Sequence, residues 1–163
     1  MGVSMGSQIS ADEVRAEDFA RFVDANESRL RHSLCAVLGS QRGHDATAEA
    51  LAYGWEHWDR VGIMSNPAGY LYKVGRDRGS RLFRRERVHF EVAGSSDMPE
   101  VEPRLAAALA GLPEKQRVTV MLVHCFEWTL SEVATHLVVS KGTVQTHLAR
   151  GMARLRSELG AES

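Results

Sequence analysis

The chain has 163 residues, 44% hydrophobic and 25% charged, with a formal net charge of −1. That is the composition of a soluble globular protein, with room for one medium domain or two small ones of modest core. Near-neutrality excludes bulk charge as a guide to a nucleic-acid partner; only the distribution of charge can supply one.

Cys35 and Cys125 are the only cysteines and form no Cys-x-x-Cys, which suits a reducing cytosol and a cytoplasmic location. His32 and Cys35 can share a helix face, as a metal pair could. A small buried hydrophobe is the simpler reading of Cys35, and neither metal nor cofactor is expected. No apolar run is long enough to span a membrane, no signal peptide is read, and Gly6 stands where N-myristoylation wants Ser or Thr.

Residues 1–15 contain Gly and Ser without periodicity and read as a mobile arm. A first helix is expected over Ala16–Leu38, with Phe19, Phe22, Val23, Leu30, Leu34, Val37 and Leu38 inward and Gly39 ending it. After a loop at 41–44, a second helix should run over Asp45–Asp59 with the stripe Ala46, Ala50, Leu51, Gly54, Trp55 and Trp58. Asp45 and Glu49 lie one turn apart on one side. Acid–base catalysis would need a cleft and partners that the neighbourhood lacks, so this is a solvated or protein-contact face.

Residues 60–66 read as a loop, with Asn66 a cap and Pro67 the first position of a third helix over Pro67–Arg87. Leu71, Val74 and Leu82 should face inward. Between Lys73 and Arg87 stand seven Lys/Arg against two acids. Tyr70, Tyr72, Lys73, Arg76, Arg78, Arg81, Arg84 and Arg85 combine stacking surfaces with backbone-tracking charge, which is what single-stranded DNA binding needs. A basic amphipathic helix with its tyrosines in a core fits equally well. Gly75 and Gly79 cost about 1 kcal/mol each inside a helix and mark either a break or a close approach of backbone to nucleic acid. Residues 88–104 hold the breakers Gly94, Ser95, Ser96, Pro99 and Pro103 and the acids Glu91, Asp97, Glu100 and Glu102, the pattern of a flexible acidic linker.

Beyond it, residues 105–109 form a short helix interrupted at Gly111. Another begins at Pro113, with Val118, Met121, Leu122 and Cys125 inward. Thr129 reads as an N-cap with Glu132 its capping-box partner, and Trp128 and Val133 as a staple, so a helix should span Leu130–Leu137. Val138 and Val139 make the turn. Ser140 caps a second helix whose apolar positions are Val144, Leu148, Met152, Leu155 and Leu159, and residues 160–163 are a tail. The opposite face carries Thr143, Thr146, Ala149, Arg150 and Arg154, with Gln145 at its edge. Such groups reach base edges and phosphates when a helix lies in a major groove. The face alone equally suits an ordinary bundle; the capped helix, short turn and cationic second helix together favour helix-turn-helix. The fold class expected is all-α, two small helical domains (16–87 and 105–159) joined by the linker.

Ser140-Lys141-Gly142-Thr143-Val144-Gln145-Thr146-His147-Leu148, followed by Arg150, Ala153, Arg154 and Leu155, resembles the C-terminal domain of bacterial sigma factors of the extracytoplasmic-function group. Leu112-Pro113-Glu114-Lys115-Gln116-Arg117 resembles that domain's opening. Asp45-Ala46-Thr47-Ala48-Glu49-Ala50-Leu51, then Trp55 and Trp58, resembles the family's polymerase-docking helix. Asn66 to Asp77 resembles the segment that melts and reads the −10 element.

The resemblance implies a non-enzymatic protein that binds core RNA polymerase through Asp45, Glu49, Leu51, Trp55 and Trp58. It implies recognition of −35 promoter DNA by Gln145, Thr146, Ala149 and Arg150. Lys141, Arg150 and Arg154 would anchor phosphate, with Thr143 on the same face. The −10 strand would lie on Tyr70, Tyr72, Lys73, Arg76, Asp77, Arg81, Arg84 and Arg85. An anti-sigma partner covering the same docking faces is a further expectation. The chain departs from the family at Ala48 (commonly Gln), Tyr70 (Trp), Asp77 (Asn), Val138 (Gly), and Gln145 and His147 (often basic). A helix-turn-helix regulator acting without polymerase, and a polymerase adaptor that does not read promoters, are the alternatives. No nucleophile–base pair, metal cluster or phosphate loop points to an enzyme.

Overall fold

The computed structural model describes residues 10–83 and 102–160, which form eight α-helices and one π-helical turn. Helix α1 spans Ala11–Leu38, α2 Ser40–Glu56, α3 Trp58–Val61 and α4 Pro67–Phe83. The second half holds α5 Pro103–Ala110, α6 Glu114–Val120, the π-turn Met121–Cys125, α7 Leu130–Leu137 and α8 Lys141–Glu158. Among the described residues the chain is all-helical, as expected. Helices α1, α2 and α4 pack as one bundle, and α6, α7 and α8 as another.

Several boundaries move for identifiable reasons. Helix α1 starts five residues earlier than expected, because Ser10 and Glu13 form a reciprocal capping box. The Ser-x-x-Glu spacing was there to be read. Residues 41–44 are helical rather than a loop, because Gly39, at φ 88°, ends α1 and starts α2 at a single residue. The second helix breaks at His57, leaving Trp58–Val61 as its own short helix. Pro103 occupies the first turn of α5, two residues before the expected start. Most of the expected linker, the end of the third helix from 84 onward and the arm at 1–9 lie outside the described residues.

Gly75 and Gly79 mark a close approach, but of helix to helix. A Cβ at Gly75 would lie 2.9 Å from Leu34 Cδ1, and one at Gly79 would lie 2.5 Å from Leu38 Cδ1. These glycines let α4 sit down on α1 and α2, and α4 runs unbroken through both.

The core is one contiguous cluster that crosses between the bundles. Leu30, Leu34, Val61 and Leu71 belong to the first, and Met121, Leu122, Val133 and Val144 to the second; all are fully buried. Helix α4 rests on α7, and α1 rests on α6 and the π-turn, where His32 stacks on Phe126 with centroids 4.1 Å apart. Cys35 is buried, as expected of a small hydrophobe.

Candidate nucleic-acid and polymerase interfaces

The helix-turn-helix forms as its local chemistry dictates. The Thr129 hydroxyl accepts from Glu132 N at 3.1 Å and the Glu132 carboxylate accepts from Thr129 N at 2.8 Å. Bonding from Arg29 first, then from the Thr129 backbone, holds the Glu132 carboxyl below its ordinary range. Trp128 and Val133 are buried as a staple pair. Val138 adopts φ 56°, ψ 51° and Val139 N donates to Ala134 O at 3.0 Å, a Schellman-like ending on a β-branched residue. The left-handed position costs Val138 about 1–2 kcal/mol that glycine would not lose.

Ser140 then caps α8, accepting from Thr143 N at 3.0 Å. Val144 and Leu155 point into the core, while Leu148, Met152 and Leu159 pack at its margin. The opposite face is open: Lys141, Gln145, Thr146, Ala149, Arg150 and Arg154 are all exposed. Thr143 is half-buried beside the Ser140 cap, its hydroxyl 2.8 Å from Ser140 Oγ, and the Thr146 hydroxyl donates to Gly142 O at 3.0 Å. Both threonine hydroxyls can still accept. The free amide on this face is Gln145, and its free cations are Lys141, Arg150 and Arg154.

Helix α4 divides its candidates. Lys73, Asp77 and Arg81 are exposed. Tyr70 is half-buried with its hydroxyl 3.3 Å from that of Tyr53, over whose ring Arg78 stands at 4.9 Å. Arg76 Nε donates to Glu114 Oε1 at 2.6 Å, and its Nη1 lies 3.8 Å from the Asp77 carboxylate. Asp77 thus sits beside a neighbouring arginine. Tyr72, expected to face a DNA strand, is buried instead. Its ring packs against His136 of α7 with centroids 5.1 Å apart, and burial pushes its hydroxyl far above the ordinary tyrosine range. In this arrangement it cannot stack on a base. Arg84 and Arg85 lie outside the described residues.

On α2, Asp45 and Glu49 are exposed one turn apart, Leu51 is half-buried and Trp55 is 41% exposed. Arg15 of α1 lies over the Trp55 ring at 4.4 Å. Trp58 belongs to the core: it is 5% exposed, packs between Phe19 and Phe22, and donates from Nε1 to Asp18 at 2.9 Å. It supports the α2 surface from behind rather than facing a partner, because the break at His57 turns it inward. Among the described residues no group of three His, Cys, Asp or Glu could hold a metal ion, and no helix is long and apolar enough to cross a membrane.

Arg117 of α6 enters the sequence reading only as the last residue of the domain's opening motif, with no role of its own. It is 9% exposed, yet every nitrogen finds a carbonyl: Nε to Ala36 at 3.0 Å, Nη2 to Val37 at 2.8 Å and Nη1 to Leu112 at 3.1 Å. Ala36 and Val37 end α1, whose last turn carries no basic residue of its own. Arg117 satisfies these helix-end carbonyls and complements the negative end of the dipole. Arg117 ends the polar stretch Glu114-Lys115-Gln116 just before the apolar run from Val118, so nothing in its spacing marked it as buried.

The model of the Sigma-70 region 4 family matches residues 103–155, the stretch holding the helix-turn-helix. The chain is 32% identical over 154 residues to the RNA polymerase sigma-E factor of Streptomyces coelicolor, covering 88% of this chain and 87% of that one. It is 28% identical over 149 residues to the sigma factor SigL of Mycobacterium tuberculosis, covering 79% of this chain and 81% of that one. Its fold matches that of the sigma factor RpoE of Bartonella quintana, solved in complex with the anti-sigma factor NepR. The TM-score is 0.65 at 19% identity, over 90% of this chain and 99% of that one. The likeness to the Streptomyces factor spans both bundles, and the chain belongs to the extracytoplasmic-function sigma factors of RNA polymerase.

Proposed function

We propose that this sigma factor works in the cytoplasm through three separate surfaces on two domains, residues 16–87 and 105–159, and has no catalytic residues. Asp45, Glu49, Leu51 and Trp55 of α2 dock core RNA polymerase. The α8 face enters the major groove at the −35 element, where Gln145 and Thr146 sample base edges, Ala149 allows close approach, and Lys141, Arg150 and Arg154 hold phosphates. Tyr70, Lys73, Arg76 and Arg81 of α4 hold the displaced −10 strand, by stacking and by charge along the backbone. An anti-sigma partner would compete for these same faces.

The observation that carries the reading is the α8 face. A helix capped and fixed in a helix-turn-helix leaves its amide and three cations unpaired in water. On the second helix of a helix-turn-helix, that amide and those cations are placed to meet base edges and phosphates.

The test is co-purification with bacterial core RNA polymerase followed by run-off transcription on a random promoter library. Selected start sites are expected. Polymerase binding without initiation would instead favour an adaptor, and DNA binding without polymerase a stand-alone regulator.

A further inference from the structure

Tyr53 of α2 and Arg60 of α3 belong to none of the three surfaces, yet they touch one of them. Arg60 Nη2 donates to the Tyr53 hydroxyl at 2.5 Å, and that hydroxyl lies 3.3 Å from the hydroxyl of Tyr70 on α4. The Arg78 guanidinium, also from α4, stands 4.9 Å from the Tyr53 ring centroid. His57 packs on the same ring, with centroids 4.3 Å apart. Arg60, Arg78 and His57 are exposed, whereas Tyr53 and Tyr70 are half-buried. Tyr53 is thus a hub on which three helices set their polar ends, rather than an open stacking face.

The charge at this hub is left uncompensated. Asp59, next to Arg60 in the chain, is committed to Arg15 at 3.1 Å, and Asp77, next to Arg78, lies 3.8 Å from Arg76. The acids one turn from Tyr53 along α2, Glu49 and Glu56, are exposed. A phenol hydroxyl and an aromatic ring fix two guanidiniums without cancelling their charge. Guanidiniums held in that way match phosphate oxygens, which their N–H forks meet in pairs. Tyr70 joins the hub to the rest of α4, where Lys73, Asp77 and Arg81 are exposed. A nucleotide strand needs both parts, a ring for the base and cations for the backbone.

We propose that Arg60 and Arg78, positioned by Tyr53, form a phosphate clamp for the displaced −10 strand beside the base that stacks on Tyr70. The clamp rests on the −10 surface proposed above and extends it from α4 onto α2 and α3. Arg60 and Arg78 touch the strand; Tyr53 acts through them. Burial of Tyr72 removes one tyrosine from that surface, and Tyr53 brings in another, used through its hydroxyl rather than its face.

The probe is a promoter taken from the run-off selection and premelted by mismatches over its −10 region, bound by reconstituted holoenzyme at several salt concentrations. Arg60→Gln and Arg78→Gln should each weaken binding about tenfold, the loss of one charge-assisted phosphate contact. Each should also flatten the dependence of log K on log salt by about 0.7, as one fewer contact releases counterions from a single strand. Capture of core polymerase should be unchanged in both. Arg60→Lys keeps the charge and should restore the slope. Tyr53→Phe keeps the ring and removes the hydroxyl; it should match Arg60→Gln, and combining the two should add nothing. Should Tyr53→Phe lose helicity, the arginine variants, both at exposed positions, decide.

Unchanged affinity and slope in both arginine variants overturn the clamp and leave the start sites selected by the wild type, and so the sigma reading, untouched. Weaker capture of core polymerase with an unchanged slope also overturns it and moves the pair to the docking surface. Full additivity of Tyr53→Phe with Arg60→Gln removes Tyr53 from the clamp. A wild type that selects no promoter overturns the −10 reading and the clamp with it.

Discussion

Helices α4 and α8 carry the two faces proposed here to read promoter DNA, and they are built in opposite ways. On α8, residues 140–158 hold their own cap, a sparse apolar stripe and an open polar face, and the structure presents that face in the direction its spacing implies. On α4, an equally persuasive mixture of tyrosines and cations is sorted by its neighbours. Two glycines sink the helix onto α1 and α2, Tyr72 turns under α7, and Arg76 pairs with Glu114. A face can be read from sequence when nothing large packs on it. A face at a junction depends on what arrives from far along the chain.

The same contrast between a packed and an open helix face is sharpest at two glycines, one on α2 and one on α8. A Cβ at Gly43 would lie 2.4 Å from Cys35 Cα, with backbone on both sides of the clash. Gly43→Ala is therefore expected to destabilise the fold by about 3 kcal/mol, since neither helix can yield locally. Gly142→Ala on α8, with only Ser140 Oγ at 3.9 Å, should be neutral to slightly stabilising. Paired thermal or urea unfolding curves check both, and equal effects would erase the contrast.

A comparable effect should follow from pH at the junction. Burial first, and the Arg29 charge second, hold His136 down to about 4. Ser33 faces it from α1 and Tyr72 from α4, with Trp128 packing on it from its own bundle. Released into water, the ring would titrate near 6.5. A depressed pKa means the packed junction excludes the proton, so its support is complete above about pH 6.5. Support is lost as pH falls toward 4, by at most about 3 kcal/mol. Urea unfolding should show stability falling across that window, and His136→Gln should flatten the response; an identical acid response in both proteins would remove His136 from the account.

On the open face, Arg150→Ala should weaken holoenzyme binding to −35 DNA by about 2 kcal/mol while leaving the unfolding midpoint unchanged. Footprinting with the variant holoenzyme measures it; wild-type occupancy would sink the assignment. Val138→Gly should stabilise the chain by about 1 kcal/mol, because the turn already has the backbone that glycine prefers and Val138 is 70% exposed, with little packing to lose. The smallest effect is expected at Glu49→Lys. Reversing an exposed charge on α2 should weaken capture of core polymerase by under about 1 kcal/mol, mostly through association rate. Unchanged association kinetics would argue against docking through that face.

Much of the fold was legible. Helix α7 spans Leu130–Leu137 as its capping box implied, and α8 starts behind Ser140. The role of Arg117 was not legible, because it follows Glu114, Lys115 and Gln116 and reads as one more polar residue of a helix's first turn. Its partners are 80 and 81 residues away, at the end of a helix in the other bundle. Spacing already set Trp58 in the apolar stripe, where the structure buries it; only the resemblance made it a docking residue.

The sequence by itself determined the helices, their caps, the open face of α8 and the acidic pair on α2. These depend on contacts within a turn or two, where hydrogen-bond geometry and side-chain period leave few choices. Only the tertiary structure decided which side of α4 is buried, where Trp58 points and what Arg117 holds. Those outcomes follow from two bundles sharing one core, and burial then assigns each polar group the partner it can reach.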